Sequence, residues 1–227
     1  MIVVHFSYIK SIQNGGIYFY IKNLIKHQIN IGIKSYWITS TENNTHFSKR
    51  ELINRIKKLN PDIIHIHGLW RRPTRLIPSL LKITENIIVA PHGMLNKPSF
   101  KKSIFKKKLA LFFYEKRNLD KIKAFHSLNL NEKIHIKKFF PEKSIMEISA
   151  GIETINKNTS EFDLEWLYKI NKKDKILLFL GRLEPEKGIR ELIEAWEQLI
   201  KDSKKNGWWL LIVGYGSMTD YVKSKLI

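Results

Sequence analysis

The sequence predicts an α/β architecture in which parallel strands alternate with covering helices, complete in a first domain and restarted in a second. Three observations predict it. Short apolar runs alternate with longer segments of helical period, the pattern of βα units around a parallel sheet. A glycine pair, Gly15-Gly16, follows the first run and opens a helical stretch. A polar stretch at 153–163 interrupts the pattern, which then begins again.

Taken in order, the apolar run at 2–7 is the first strand, and the segment from Gly15-Gly16 to about residue 31 has helical period. Residues 34–40 form the next strand, 48–59 a helix, and 62–68 a third strand. A helix over 74–83 leads to a strand at 87–91. A Lys-rich amphipathic helix is expected over 101–118, followed by a strand at 123–127, a helix from about 131, and a strand at 144–148. Six strands separated by helices describe a doubly wound, Rossmann-like domain over 1–155. A linker follows at 156–172, centred on Asn156-Lys-Asn-Thr-Ser160. In 173–227 the expected order is a strand at 175–181, a helix at 187–204, a strand at 208–214 and a helix from 216. These are the first two βα units of a second Rossmann-like domain. Parallel strands need neighbours and helices on both faces, so two strands alone expose apolar surface.

Composition bounds the function. Hydrophobic residues make up 43% and charged residues 27%, enough for a packed core. With no cysteine, disulfides, thiolate zinc sites and a cysteine nucleophile are excluded. The net charge of +19, from 40 Lys+Arg against 21 Asp+Glu, attracts polyanions, although a chain rich in Lys, Ile and Asn also carries such an excess as compositional bias. The opening Met1-Ile-Val-Val has no basic region and too short an apolar stretch for a signal peptide, and no run approaches the ~18 apolar residues of a membrane span. The expected location is cytoplasmic, or peripheral on the cytoplasmic membrane face.

The stretch Leu177-Leu-Phe-Leu-Gly181-Arg182-Leu-Glu-Pro-Glu-Lys187-Gly188 carries the most chemistry. A buried strand ends in a glycine that admits a ligand close to the backbone, and a helix start offers free N–H groups. Arg182 can hold a phosphate bidentately and Lys187 supplies a point charge. Such a set suits a diphosphate leaving group; the ordinary alternative is a strand–turn–helix with solvated basic residues. His65 and His67 face one side of their strand. A metal there would need further ligands, and no cysteine or nearby carboxylate pair supplies them, so no metal is expected. His67, nearer the strand's C-terminal end, is a candidate to line the cleft where open α/β sheets bind ligands.

Read as a set, five segments in order resemble the retaining family 4 (group 1) glycosyltransferases, which have the GT-B fold. These are Gly15-Gly16; Asp62-Ile-Ile-His-Ile-His67-Gly68; Pro91-His92-Gly93-Met94-Leu95 with Tyr114-Glu-Lys-Arg117; Phe179 through Trp196; and Leu211-Ile-Val-Gly214-Tyr-Gly216. The third segment resembles a branch linked to bacterial surface polysaccharide synthesis. The resemblance implies that Arg182 and Lys187, with Gly181, bind the donor diphosphate of a nucleotide sugar. It implies that His92 contacts the transferred sugar and that Gly15 and Gly16 let the first loop close over the phosphates. Transfer would retain anomeric configuration without a cofactor or structural metal, to a polysaccharide or lipid-linked acceptor.

Two departures stand out. Ile148-Ser-Ala-Gly151-Ile-Glu153 replaces the family's Pro-Asn-Gly-Ile/Val-Asp run. The family's donor site is also completed by two glutamates eight positions apart beyond the second glycine turn, a region this sequence does not reach; the spacings Glu186/Glu194 and Glu153/Glu161 are coincidental. The chain as written therefore carries half of a donor pocket, which keeps open a non-catalytic remnant or scaffold, and, among enzymes, a GT-B epimerase. The basic and apolar segment 101–114 suits an anionic membrane surface or, equally, a domain helix with a solvated basic face. No nucleic-acid-binding signature accompanies the charge, and no nucleic acid is expected as partner.

Overall fold

The structure is a computed structural model that describes residues 1–9, 15–42, 45–96, 111–152, 170–171, 173–201 and 207–225. The chain divides into two compact units, Met1–Thr154 and Ile155–Ile227. The expected linker at 156–172 falls outside the described residues except for 170 and 171, and so does 101–110 of the expected basic helix.

The first unit is a seven-stranded sheet in the order β3-β2-β1-β4-β5-β6-β7. Its strands are β1 (Ile2–Ile9), β2 (Lys34–Glu42), β3 (Thr45–His46), β4 (Ile63–His67), β5 (Ile87–Ala90), β6 (Ala124–Ser127) and β7 (Ile145–Glu147). All pair in parallel except β3, a two-residue antiparallel return on β2 that the apolar pattern did not announce. The chain leaves β1 toward β2, then crosses to β4 on the other side of β1. The β1–β4 boundary is therefore the topological switch point, where open α/β sheets bind ligands.

Period-two alternation sorts the side chains of these strands. Val4, Phe6, Ile64, Ile66, Ile87 and Val89 are buried in one apolar core with Leu52 and Ile56 of α2 (Lys49–Leu59). His5, Ser7, His65 and His67 occupy the alternate positions, so their side chains take the opposite face, toward α1 (Gly16–Asn30). Ser48 caps α2, its Oγ accepting from the Glu51 N–H at 3.1 Å, and Asn60 ends the helix in the left-handed region.

The helix expected over 74–83 is instead two short pieces, α3 (Arg72–Arg75) and α4 (Ile77–Leu80). Pro78 is the cause: it has no N–H to donate to the Thr74 carbonyl four residues back. That carbonyl accepts from Asn118 Nδ2 at 3.1 Å instead, so the break docks the segment onto α5 (Lys116–Leu119). Ahead of α5, residues Leu111–Glu115 form a π-helical turn, where a regular α-helix was expected. Helix α6 (Leu130–Phe139) connects β6 to β7, capped by Asn129 Oδ1 accepting from the Glu132 N–H at 2.9 Å.

The second unit holds β8 (Lys175–Leu180) and β9 (Trp208–Val213) in parallel, with α7 (Ile189–Lys201) and α8 (Thr219–Lys225). Leu183, Ile189, Ile193, Met218 and Val222 form its small core. As a two-stranded sheet implies, apolar strand residues remain open: Leu178 is 54% exposed and Leu180 74%.

Candidate functional site

Five histidines come together in the first unit. The β1–β4 register sets His5 beside His65, His67 is the last residue of β4, His92 follows β5, and His126 lies in β6. His5 Nδ1 lies 3.0 Å from His67 Nε2, and His67 Nδ1 lies 3.0 Å from His92 Nε2. His65 Nε2 meets His126 Nδ1 at 3.3 Å, and His126 Nε2 donates to the Ile148 carbonyl at 2.9 Å. His5 Nε2 meets Gln28 Oε1 of α1 at 2.8 Å, and Ser35 Oγ donates to the same oxygen at 2.7 Å. The ring of Tyr20, also on α1, stands edge-on to His92 with centroids 5.2 Å apart.

Burial decides the charge of this cluster. Removal from water disfavours the imidazolium, and neighbouring histidines add to the effect. His65 and His67 are held well below the usual histidine range, by burial first and the other rings second. Burial lowers His5 against the opposing bond from Gln28, and lowers His92 to about 4 with help from His126. Tyr20 is pushed up to about 12 by burial and by Glu132. At neutral pH these groups act as uncharged donors and acceptors.

His92 has φ of 52° and Gly93 has φ of 73°, consecutive residues in the left-handed region. For a residue with a side chain this conformation costs about 1 kcal/mol or more and needs support from its surroundings. Glu132 supplies it. This carboxylate, almost fully buried, accepts from the Gly93 N–H at 2.6 Å and from the Leu128 N–H at 2.8 Å. The loops after β4 and β5 are also joined, the Gly68 N–H donating to the Ala90 carbonyl at 2.8 Å and the Leu69 N–H to Met94 Sδ at 3.1 Å. A Cβ on Gly68, whose φ is 85°, would come within 3.1 Å of Met94 Cε. The Gly68 and Gly93 of the two quoted segments thus let two loops pack where His67 and His92 meet. Gly15, with φ of 49°, occupies the N-cap of α1, and a side chain on Gly15 or Gly16 would meet open space within 4 Å.

Arg182, Lys187 and Gly181 lie in the second unit. The turn after β8 is stitched to the turn after β9: Gly181 N–H donates to the Val213 carbonyl at 3.0 Å, Leu183 N–H to Tyr215 at 2.9 Å, and Met218 N–H to Leu183 at 3.0 Å. Ser217 adds two bonds to the Glu184 carboxylate, from its N–H at 3.2 Å and its Oγ at 2.7 Å. The approach is so close that a Cβ on Gly214 would run into the Gly181 carbonyl oxygen, and one on Gly216 into the backbone of Leu183. From this frame the Arg182 and Lys187 side chains extend into solvent, Arg182 reaching Glu186 Oε1 at 3.4 Å. Lys187 was expected at the head of a helix; it ends a 3-10 turn, Pro185–Lys187, and α7 starts two residues later because Gly188 adopts φ of 70°.

The sequence reading singled out His67 and His92 but missed His5, His126, Gln28, Tyr20 and Glu132. No cysteine or nearby carboxylate pair was expected to complete a metal site at His65 and His67; the parallel pairing of β1 with β4 sets a third histidine beside them, and one ligand nitrogen from each of His5, His65 and His67 lies within 4.8 Å of the others.

Residues 161–226 match the family described as glycosyl transferases group 1. An uncharacterized glycosyltransferase of Methanocaldococcus jannaschii is 36% identical over 93 residues, which is 37% of this chain and 22% of that protein. Two solved structures of an alpha-glucosyltransferase superpose on nearly the whole chain. One, in complex with UDP and a 13-mer DNA containing a central A:G mismatch, has a TM-score of 0.52 at 13% identity and covers 100% of this chain and 60% of its own. The other, with UDP and a 13-mer DNA containing a HMU base, has a TM-score of 0.54 at 14% identity and covers 98% and 59%. The chain thus spans less than two thirds of the length of these relatives. On these matches, residues 161–226 resemble the glycosyl transferases group 1 family, and the chain has the α/β architecture of GT-B glycosyltransferases.

Proposed function

We propose that this chain is the acceptor-side domain and opening donor-side segment of a retaining glycosyltransferase. It transfers a hexose from a nucleotide-diphosphate sugar to a polysaccharide or lipid-linked acceptor in bacterial surface-glycan synthesis. The observation that carries the reading is the stitched turn after β8. Arg182 and Lys187 leave it as exposed cations beside backbone that only glycine permits, within the family-matched segment. Two cations on a rigid frame can neutralise a departing diphosphate, whose charge grows in the transition state. The UDP bound by the solved neighbours agrees with a nucleotide diphosphate as the leaving group.

In this proposal His92 contacts the transferred sugar, His67 supports it from the cleft floor, and Gly15 and Gly16 allow close passage of the first loop over the phosphates. The nucleotide sugar is substrate; no cofactor takes part. Among the described residues no helix is long and apolar enough to cross a membrane. A membrane-bound acceptor would be reached through the basic segment 101–114, of which the structure describes only the last residues.

Calorimetry with UDP tests the site. Replacing Arg182 and Lys187 together with alanine, in a form containing the complete donor domain, should weaken UDP binding by about a hundredfold, the loss of two charge-assisted contacts. Unchanged affinity would remove the diphosphate assignment.

A further inference from the structure

We propose that Gln28, His5 and His67 form a directional hydrogen-bond chain that holds His92 as the Nε2–H tautomer and leaves its Nδ1 lone pair to accept from a sugar hydroxyl. This rests on the reading of His92 as the residue that contacts the transferred sugar.

The direction follows from what each atom can do. Gln28 Oε1 is an acceptor only, already taking the Ser35 hydroxyl proton at 2.7 Å, so the His5 nitrogen 2.8 Å from it must carry hydrogen. A neutral imidazole has one N–H, and burial keeps His5, His67 and His92 neutral. His5 Nδ1 is therefore a bare lone pair, and the proton in its 3.0 Å contact belongs to His67 Nε2. His67 Nδ1 is then bare in turn, and the proton in the next 3.0 Å contact belongs to His92 Nε2. His92 Nδ1 is left as an acceptor, with no hydrogen-bond partner among the described residues. Reversing the Gln28 amide would reverse every proton and turn His92 Nδ1 into a donor. One amide orientation on α1 thus sets the chemistry of a ring three hydrogen bonds away.

The consequence is selectivity by hydrogen-bond type. A bare Nδ1 welcomes a hydroxyl proton and repels phosphate or carboxylate oxygens, which have only lone pairs to offer. His92 would orient a sugar hydroxyl rather than hold the diphosphate. Gln28, His5 and His67 are positioning residues that act through it.

The chain is read directly by NMR of 15N-labelled full chain at neutral pH. The expected result is a 15N–15N coupling across each N–H···N bond, His67 to His5 and His92 to His67, with the proton attached to His67 Nε2 and to His92 Nε2. Gln28→Leu removes the anchoring acceptor, and the preference for the Nε2–H form of His92 should fall about fivefold, the factor set by one hydrogen bond of ordinary net strength. Gln28→Glu keeps an acceptor oxygen and should restore the pattern, which a merely structural role for residue 28 would not require. Three results would overturn the proposal: a proton on His92 Nδ1; ring signals of His67 and His92 indifferent to Gln28→Leu; or zinc retained at one ion per chain with loss of the couplings, placing a metal among His5, His65 and His67. If the couplings appear as stated but His92→Asn leaves sugar transfer unchanged in the complete enzyme, the chain stands and the sugar-contact reading of His92 fails.

Discussion

Glu132 Oε1 on α6 accepts the Gly93 N–H at 2.6 Å, so this helix fixes the turn on which His92 sits. The second carboxylate oxygen takes the Leu128 N–H at 2.8 Å, at the start of the same helix. Glu132→Ala leaves two backbone donors without their partner in a buried place. Each such loss costs about 1–3 kcal/mol, and urea unfolding should show a combined loss of roughly 2–4 kcal/mol. A change below 0.5 kcal/mol would mean that the turn holds its left-handed residues unaided.

The neutral histidines make the first unit sensitive to acid. His92 is lowered from 6.5 to about 4, so between these values the unfolded chain binds a proton that the folded one refuses. Stability from this ring is complete above pH 6.5 and is lost as pH falls through about 4; His5, His65 and His67 act in the same direction. His92→Asn removes one titrating ring while keeping a residue type that tolerates the left-handed region. Urea midpoints across this pH range should therefore fall less steeply in the variant, with a difference of at most about 3 kcal/mol. Parallel slopes would show that His92 is ordinarily solvated.

Glu115 works in the opposite sense. It is fully buried, its Oε1 accepting from Thr74 Oγ1 at 2.7 Å and from the Trp70 N–H, while Oε2 has no partner among the described residues. Burial raises it from 4.5 to about 7, against the lowering effect of these bonds and of Arg75. Its contribution is complete below pH 4.5 and is lost as pH rises through about 7. Glu115→Gln, neutral throughout, should gain on the wild type between pH 4.5 and pH 8 by on the order of 3 kcal/mol, measured by urea unfolding at the two values. An equal difference at both would place the carboxyl in water.

The sheet was legible because its strands are short apolar runs whose alternate residues face a single core, as Ile64 and Ile66 do. Proline chemistry explains why the helix over 74–83 was not: Pro78 breaks a segment whose apolar spacing still reads as helical. His67 was singled out by its place at the C-terminal end of an apolar strand, and His92 by its run Pro91-His92-Gly93. His5 and His126 were invisible for a different reason. A histidine in the middle of an apolar strand looks like any alternate-face residue until strand order brings it beside its partners, and pairing of β1 with β4 spans about sixty residues of chain. Glu132 carries a still weaker signal, a capping position whose second duty depends on a loop from elsewhere.

The second unit yields the sharpest contrast between neighbouring glycines. Gly181 has room: a Cβ there would lie 3.8 Å from the Phe179 ring, an ordinary contact. A Cβ on Gly214 would collide with the Gly181 carbonyl oxygen, and one on Gly216 would enter the Leu183 backbone. Flexible side chains can retreat from an added methyl group, but here backbone is struck, and that backbone is bonded from Gly181 to Val213 and from Leu183 to Tyr215. Gly214→Ala must therefore part the two turns and displace Arg182, at a cost of about 1–3 kcal/mol from overpacking, and more if the hydrogen bonds break. Gly214→Ala should lower UDP affinity at least about tenfold, measured by calorimetry in the form with the complete donor domain. An unchanged affinity would show that the stitched turn does not position the basic pair.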